Sequence, residues 1–126
     1  MNFSIIIPVY NEEENIKKLY KQIVSSIKEN INYEIFFIND GSNDNTLDEI
    51  KKIKDEKLKF ISNNNNIGQS LSILTGIENS TFETIVTIDG DLQNDPEDII
   101  KLVKIFYSEK LCLIGGIRNK RKDSIL

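Results

Sequence analysis

With 126 residues, 39% of them hydrophobic and 29% charged, the chain has the composition of one folded domain, too short for two and too apolar for wholesale disorder. Its net charge of -4 excludes a nucleic-acid binder that works through a basic face, so an anionic ligand must be drawn by something local, most simply a divalent cation on clustered carboxylates. Cys112 is the only cysteine and there is no histidine, which excludes internal disulfides, cysteine- or histidine-based metal sites and Ser/His/Asp catalysis.

The chain alternates short apolar runs with amphipathic stretches, the pattern of βαβ units around a mostly parallel sheet. Residues 4–9 (SIIIPV) form the first strand, closed by Pro8 and Asn11. Residues 12–29 follow as a helix, with Ile16, Leu19, Ile23 and Ile27 on one stripe. A second buried strand, residues 34–39, runs into Asp40-Gly41-Ser42. Asp44 or Asn45 caps a helix carrying Leu47, Ile50 and Ile53. Residues 57–61 make a short third strand and residues 63–66 a polar loop. The helix over residues 68–79 is expected to turn Leu71, Leu74 and Ile77 inward. Residues 84–88 form the fourth strand and residues 89–96 a loop. Pro96 opens a helix through Ile99, Leu102, Val103 and Phe106. A fifth strand is expected over residues 111–114, with Cys112 in the core, before Gly115-Gly116 and the basic stretch RNKRKDS.

The N-terminus lacks the positive flank and small-residue cleavage site of a signal peptide, and no run approaches the roughly 18 apolar residues of a membrane span. A soluble, cytoplasmic location is therefore expected.

In such sheets ligands collect outside the carboxyl ends of the strands. There lie Tyr10-Asn11-Glu12, Asp40-Gly41-Ser42, Asp89-Gly90-Asp91 and Arg118, after the first, second, fourth and fifth strands. Turns alone would not require acids at most of these places. Asp89-Gly90-Asp91 is the sharpest signal. On extended backbone, side chains at i and i+2 project to the same side about 6 to 7 Å apart, so two carboxylates can face one cation. Gly90 admits close backbone approach, and Gln93 adds an oxygen donor; the competing reading is a plain Asp-Gly turn. Asp40 suits the base or ribose of a nucleotide, or simply a turn. Pro8, Tyr10 and Glu12 suit base stacking and hydrogen bonding, or a strand end and an acidic first helical turn. Asn66-Ile67-Gly68-Gln69 presents a helix N-terminus and an amide, or only a loop-helix junction. Arg118 and Arg121, the only arginines, suit a phosphate clamp or a solvated tail.

Taken in order, IIIPVYNEEENI, FFINDGSNDNT, NNIGQSLSILTGI, IVTIDGDLQNDPEDI and GIRNKRKDS closely resemble the N-terminal domain of family 2 glycosyltransferases. Within that family, DLQNDPEDI and the pattern Arg118, Arg121, Asp123 are similar to the polyprenyl-phosphate branch. The resemblance implies the GT-A fold: a three-layer α/β/α, Rossmann-like domain for a nucleotide sugar, occupying all of residues 1–126. It implies inverting transfer of one sugar from a UDP- or GDP-sugar to a polyprenyl phosphate at the inner face of the cytoplasmic membrane, with Mg2+ or Mn2+ as cofactor. It places Pro8, Tyr10, Glu12, Asp40, Gly41 and Gln69 in the donor pocket. Asp89 falls on ribose or metal, Asp91 and Gln93 on the metal, and Arg118 and Arg121 on the donor diphosphate or lipid phosphate. Gln69 and Ser72 stand where the family often carries Lys or Ala. The family continues into acceptor-binding loops and often membrane spans, so the chain is expected to be a donor-binding half and not a complete catalyst. Two other readings stay open: a family 2 enzyme with a glycan or protein acceptor, and a receiver-like α/β signalling domain. The second needs a lysine after the fifth strand, where Gly115-Gly116 stand.

Overall fold

A computed structural model describes residues 1–28 and 30–111. Four strands, β1 (Asn2–Val9), β2 (Asn32–Asn39), β3 (Leu58–Ser62) and β4 (Ile85–Thr87), form one sheet in the order β3-β2-β1-β4, with every pairing parallel. A receiver domain would place its third strand beside the first. Here β1 lies between β2 and β4, the arrangement of the Rossmann-type half, and the receiver reading falls on strand order alone.

The helices are α1 (Ile16–Ser26), α2 (Thr46–Lys52), α3 (Gln69–Asn79) and α4 (Glu97–Ser108). One face of the sheet carries the larger core, where Phe3, Ile5, Ile7 and Val9 of β1 meet Ile16, Leu19 and Ile23 of α1, Ile50 of α2, and Ile99 and Val103 of α4. The opposite face, built on Ile6, Phe36 and Ile38, lies under α3. Strand residues point alternately to the two sides, so one Ile-rich run serves both layers. The three-layer α/β/α expectation holds. No helix of the described residues is long and apolar enough to cross a membrane.

Two local expectations change. The first helix begins at Ile16 rather than residue 12, because backbone N–H groups of residues 11–13 bond across to the loop after β2. The second change concerns α3. Leu71, Leu74 and Ile77, expected inward, are 53%, 47% and 42% exposed, whereas Ser72 and Gly76 face the sheet. A Cβ on Gly76 would stand 2.5 Å from Cγ2 of Ile6, so the helix sits too close for any larger side chain. The large Ile and Phe side chains of the sheet fill that layer, and small residues on the helix complete it.

At the amino end of the sheet a buried Glu34 ties three elements together. Its carboxylate accepts hydrogen bonds from Ser4 Oγ at 2.6 Å, Lys59 Nζ at 2.7 Å, the Thr81 N–H at 2.6 Å and Thr81 Oγ1 at 2.9 Å. Burial pushes this carboxyl up, but the bonds from Lys59, Ser4 and Thr81 outweigh it and bring it down to about 2.

Candidate functional site

The opposite, carboxyl end of the sheet is where the loops after β1, β2, β3 and β4 meet. The first two are zipped together. The N–H of Asn11 donates to Ser42 Oγ at 2.9 Å, that of Glu12 to Thr46 Oγ1 at 2.9 Å, and that of Asn43 back to Asn11 Oδ1 at 2.8 Å. Asp44, rather than Asn45, supplies the side-chain bond at the start of α2, accepting from the Thr46 N–H at 2.9 Å. Tyr10 emerges from this zipper 42% exposed, its hydroxyl accepting from Asn43 Nδ2 at 3.3 Å, which leaves the ring available for stacking. The Glu12 carboxylate accepts from Asn15 Nδ2 at 2.7 Å.

Asp40 is buried and fully engaged. Its Oδ1 accepts from Asn63 Nδ2 at 3.1 Å and from the Ile67 N–H at 2.8 Å, and its Oδ2 accepts from the Gly68 N–H at 2.9 Å. Burial pushes the carboxyl up; the donors Ile67, Asn63, Gly68 and the Ser72 hydroxyl more than offset this and hold it below the usual range. Gly41 next to it has φ of +70°, and a Cβ there would sit 2.5 Å from the Asn65 carbonyl carbon. Asp40 and Gly41 thus brace the loop of residues 63–68 against the end of β2.

The loop after β4 lies against the end of β1. Gly90 is buried, and a Cβ on it would meet Val9 Cγ1 at 2.6 Å. Glycine therefore lets the loop that carries Asp89 and Asp91 pack against Pro8 and Val9 at the end of β1. Asp89 Oδ1 accepts from Gln69 Nε2 at 3.0 Å, and the Asp89 N–H donates to Asn94 Oδ1 at 3.1 Å. Asp91 is exposed, with Oδ1 accepting from the Gln93 N–H at 3.1 Å. Gln93 Oε1 is buried without any hydrogen-bond partner. A buried amide oxygen in that state carries an unrecovered desolvation cost, commonly explained by a missing ion or water. Two carboxylates and this oxygen are hard donors of the kind Mg2+ and Mn2+ take, so the residues present fit such an ion. Among the described residues no group of three or more Cys, His, Asp or Glu gathers for a metal.

The candidate residues Pro8, Tyr10, Glu12, Asp40, Gly41, Asp89, Asp91 and Gln93 therefore fall on loops or strand ends at one edge of the sheet, with Gln69 at the start of α3. Arg118, Arg121 and the expected fifth strand from Cys112 onward lie outside the described residues. Thr46 and Asn63, which help hold the loops, were not singled out by the sequence, and Ser42, Asp44 and Ser72 were noted there only as a turn residue, a helix cap and a departure from the family. Their polar residue types were the only signal, and such residues abound in this chain.

Residues 4–125 match the profile "Glycosyl transferase family 2". The chain belongs to that family. One relative is the "Undecaprenyl-phosphate 4-deoxy-4-formamido-L-arabinose transferase" of Proteus mirabilis, 38% identical over 125 residues, which are 96% of this chain and 38% of the relative. The chain thus spans well under half the length of the curated relatives it matches. Among solved structures, S. aureus TarS 1-349 in complex with UDP superposes with a TM-score of 0.72 at 22% identity, over 87% of this chain and 33% of that one. The mannosyltransferase PcManGT of Pyrobaculum calidifontis, in complex with GDP-Man and Mn2+, gives 0.71 at 20%, over 82% and 32% respectively. The fold of this family 2 chain is thus the GT-A fold of those transferases.

Proposed function

We propose that this chain supplies the donor-binding half of an enzyme that transfers a sugar, with inversion, from a UDP- or GDP-sugar to a polyprenyl phosphate. The observation that carries the metal reading is the partnerless buried oxygen of Gln93, two residues after Asp91 in the loop after β4 of a family 2 fold. Asp91 and Gln93, with Asp89, would hold Mg2+ or Mn2+. When bound, such an ion supplies Lewis-acid stabilisation for the negative charge of a departing nucleoside diphosphate.

Tyr10 and Pro8 provide the wall for the base, and the zipped loops after β1 and β2 keep that wall fixed before the donor arrives. Glu12 and Gly41 border the same pocket. Arg118 and Arg121, by the family resemblance, meet the diphosphate or the lipid phosphate. The acceptor phosphate is already an anionic nucleophile, so the absence of histidine in this chain leaves no gap in the chemistry. The named relative acts on undecaprenyl phosphate, which supports a lipid acceptor and hence work at a membrane surface; the inner face of the cytoplasmic membrane is what the family resemblance implies.

Calorimetry with UDP and GDP, with and without Mn2+, tests the site. Nucleotide binding is expected to require the metal and to be lost in Asp91→Ala. Equal binding by native chain and variant would remove the metal site from this loop.

A further inference from the structure

The link between Asp40 and Asp89 has a physical shape of its own. Asp40 follows β2 and Asp89 follows β4, and in the sheet order β1 separates these two strands. The connection crosses above it: Asp40 takes the N–H groups of Ile67 and Gly68, Gly68 opens α3, and Gln69, the first residue of α3, donates through Nε2 to Asp89 Oδ1. Gly68 makes this turn with φ of +98° while a Cβ there would meet nothing within 4 Å, so glycine serves the backbone conformation and not the packing. Among the described residues Asp89 Oδ2 takes no hydrogen bond, so Gln69 engages one carboxylate oxygen and leaves the other.

We infer that Gln69 is a positioning residue that orients the Asp89 carboxylate toward the ligand, held in place by the Asp40 clamp, instead of contacting the donor itself; this rests on the metal-and-donor reading of Asp89-Gly90-Asp91. Three observations support it. The Gln69 amide is directed at a protein carboxylate rather than at open space. The carboxylate concerned comes from the loop whose glycine seats it on β1. The backbone that carries Gln69 is fastened from a third strand end by bonds of 2.8 and 2.9 Å. An oriented carboxylate loses less conformational freedom on ligand binding than a free one, which is what a pre-organised site requires.

The role demands a donor at position 69, and a substitution series reads that demand. Gln69 is exposed, so its variants should fold like the native chain. Mn2+-dependent binding of UDP or GDP is measured by calorimetry for native, Gln69→Lys, Gln69→Leu, Gln69→Glu and Asp91→Ala, with melting temperatures alongside. Lysine keeps a donor and is expected to bind within about threefold of native; leucine removes the hydrogen bond to a charged group and weakens binding about tenfold. Glutamate sets like charges together and binds more weakly still. Native-like binding by Gln69→Leu, or equal losses in the leucine and lysine variants, would overturn the positioning role. If native shows no Mn2+-dependent binding, or Asp91→Ala matches it, the reading beneath has failed. Loss in Asp91→Ala with native-like Gln69 variants would reject only the role of Gln69.

Discussion

Replacing Glu34 by glutamine tests whether the amino end of the sheet is held by charge. The carboxyl lies at about 2 in the folded chain against an ordinary 4.5, which at 1.36 kcal/mol per pH unit corresponds to roughly 3 kcal/mol of stability. Glu34 is only 4% exposed, so solvent screening removes little of it. Because the folded value is the lower one, the contribution is complete above the ordinary value and is lost as pH falls from 4.5 toward 2; by pH 3 about 2 kcal/mol of it is gone. Glutamine keeps the shape but presents an NH2 group to a cluster made entirely of donors: Ser4, Lys59 and the N–H and hydroxyl of Thr81. Glu34→Gln is therefore expected to cost about 3 kcal/mol at pH 7, on the order of 10 °C in melting temperature for a chain of this size. Denaturant titrations followed by circular dichroism at pH 7, 5, 4 and 3 give the difference between native and variant. It should narrow between pH 4.5 and 3. Asp40, Asp44 and Asp55 also sit below their usual range and affect both proteins alike, so the difference isolates Glu34. A gap that stays constant over that window would refute the electrostatic account, and no gap at pH 7 would refute the role of the cluster.

Gly41→Ala should cost more than 3 kcal/mol in denaturant titrations, since it combines a left-handed φ of +70° with a Cβ 2.5 Å from backbone at Asn65. Tyr20 donates to Asp55 Oδ2 at 2.6 Å, and that bond, with burial and the charge of Asp55, pushes its phenol up to about 12. An ultraviolet titration of the native chain is expected to show a tyrosine that ionises only near pH 12, and Tyr20→Phe should remove that late step. If the late step persists in the variant, it belongs to another phenol.

Much of the architecture was legible because hydrophobic period alone separates strands from helices here. The Ile-rich run of β1 and the stripe of Ile16, Leu19 and Ile23 on α1 each bury the side that the pattern selects. The orientation of α3 was not legible. A pattern argument places the most apolar side inward, yet Ser72 and Gly76 go inward because Ile6, Phe36 and Ile38 already fill the space. The strand-end position of Asp40, Asp89 and Asp91 followed from acids sitting where strands stop. What they bond to did not follow. The partners of Asp40 are Asn63, Ile67 and Gly68, 23 to 28 residues away, and nothing local in an Asp-Gly-Ser turn announces them.

Gly76 lies seven residues along α3 from Gln69, about 10 Å on a rod that does not bend easily. Its contact with Ile6 acts as a bearing on which that rod rests, and the Asp40 clamp fixes the far end. A change in the height of that buried isoleucine would press on the helix there and would shift the reach of an amide at the sheet's rim. Side-chain size deep in the sheet can be transmitted to the ligand edge as mechanical leverage, so drift at positions 6 and 76 would retune an enzyme of this kind without touching any residue that meets its substrate.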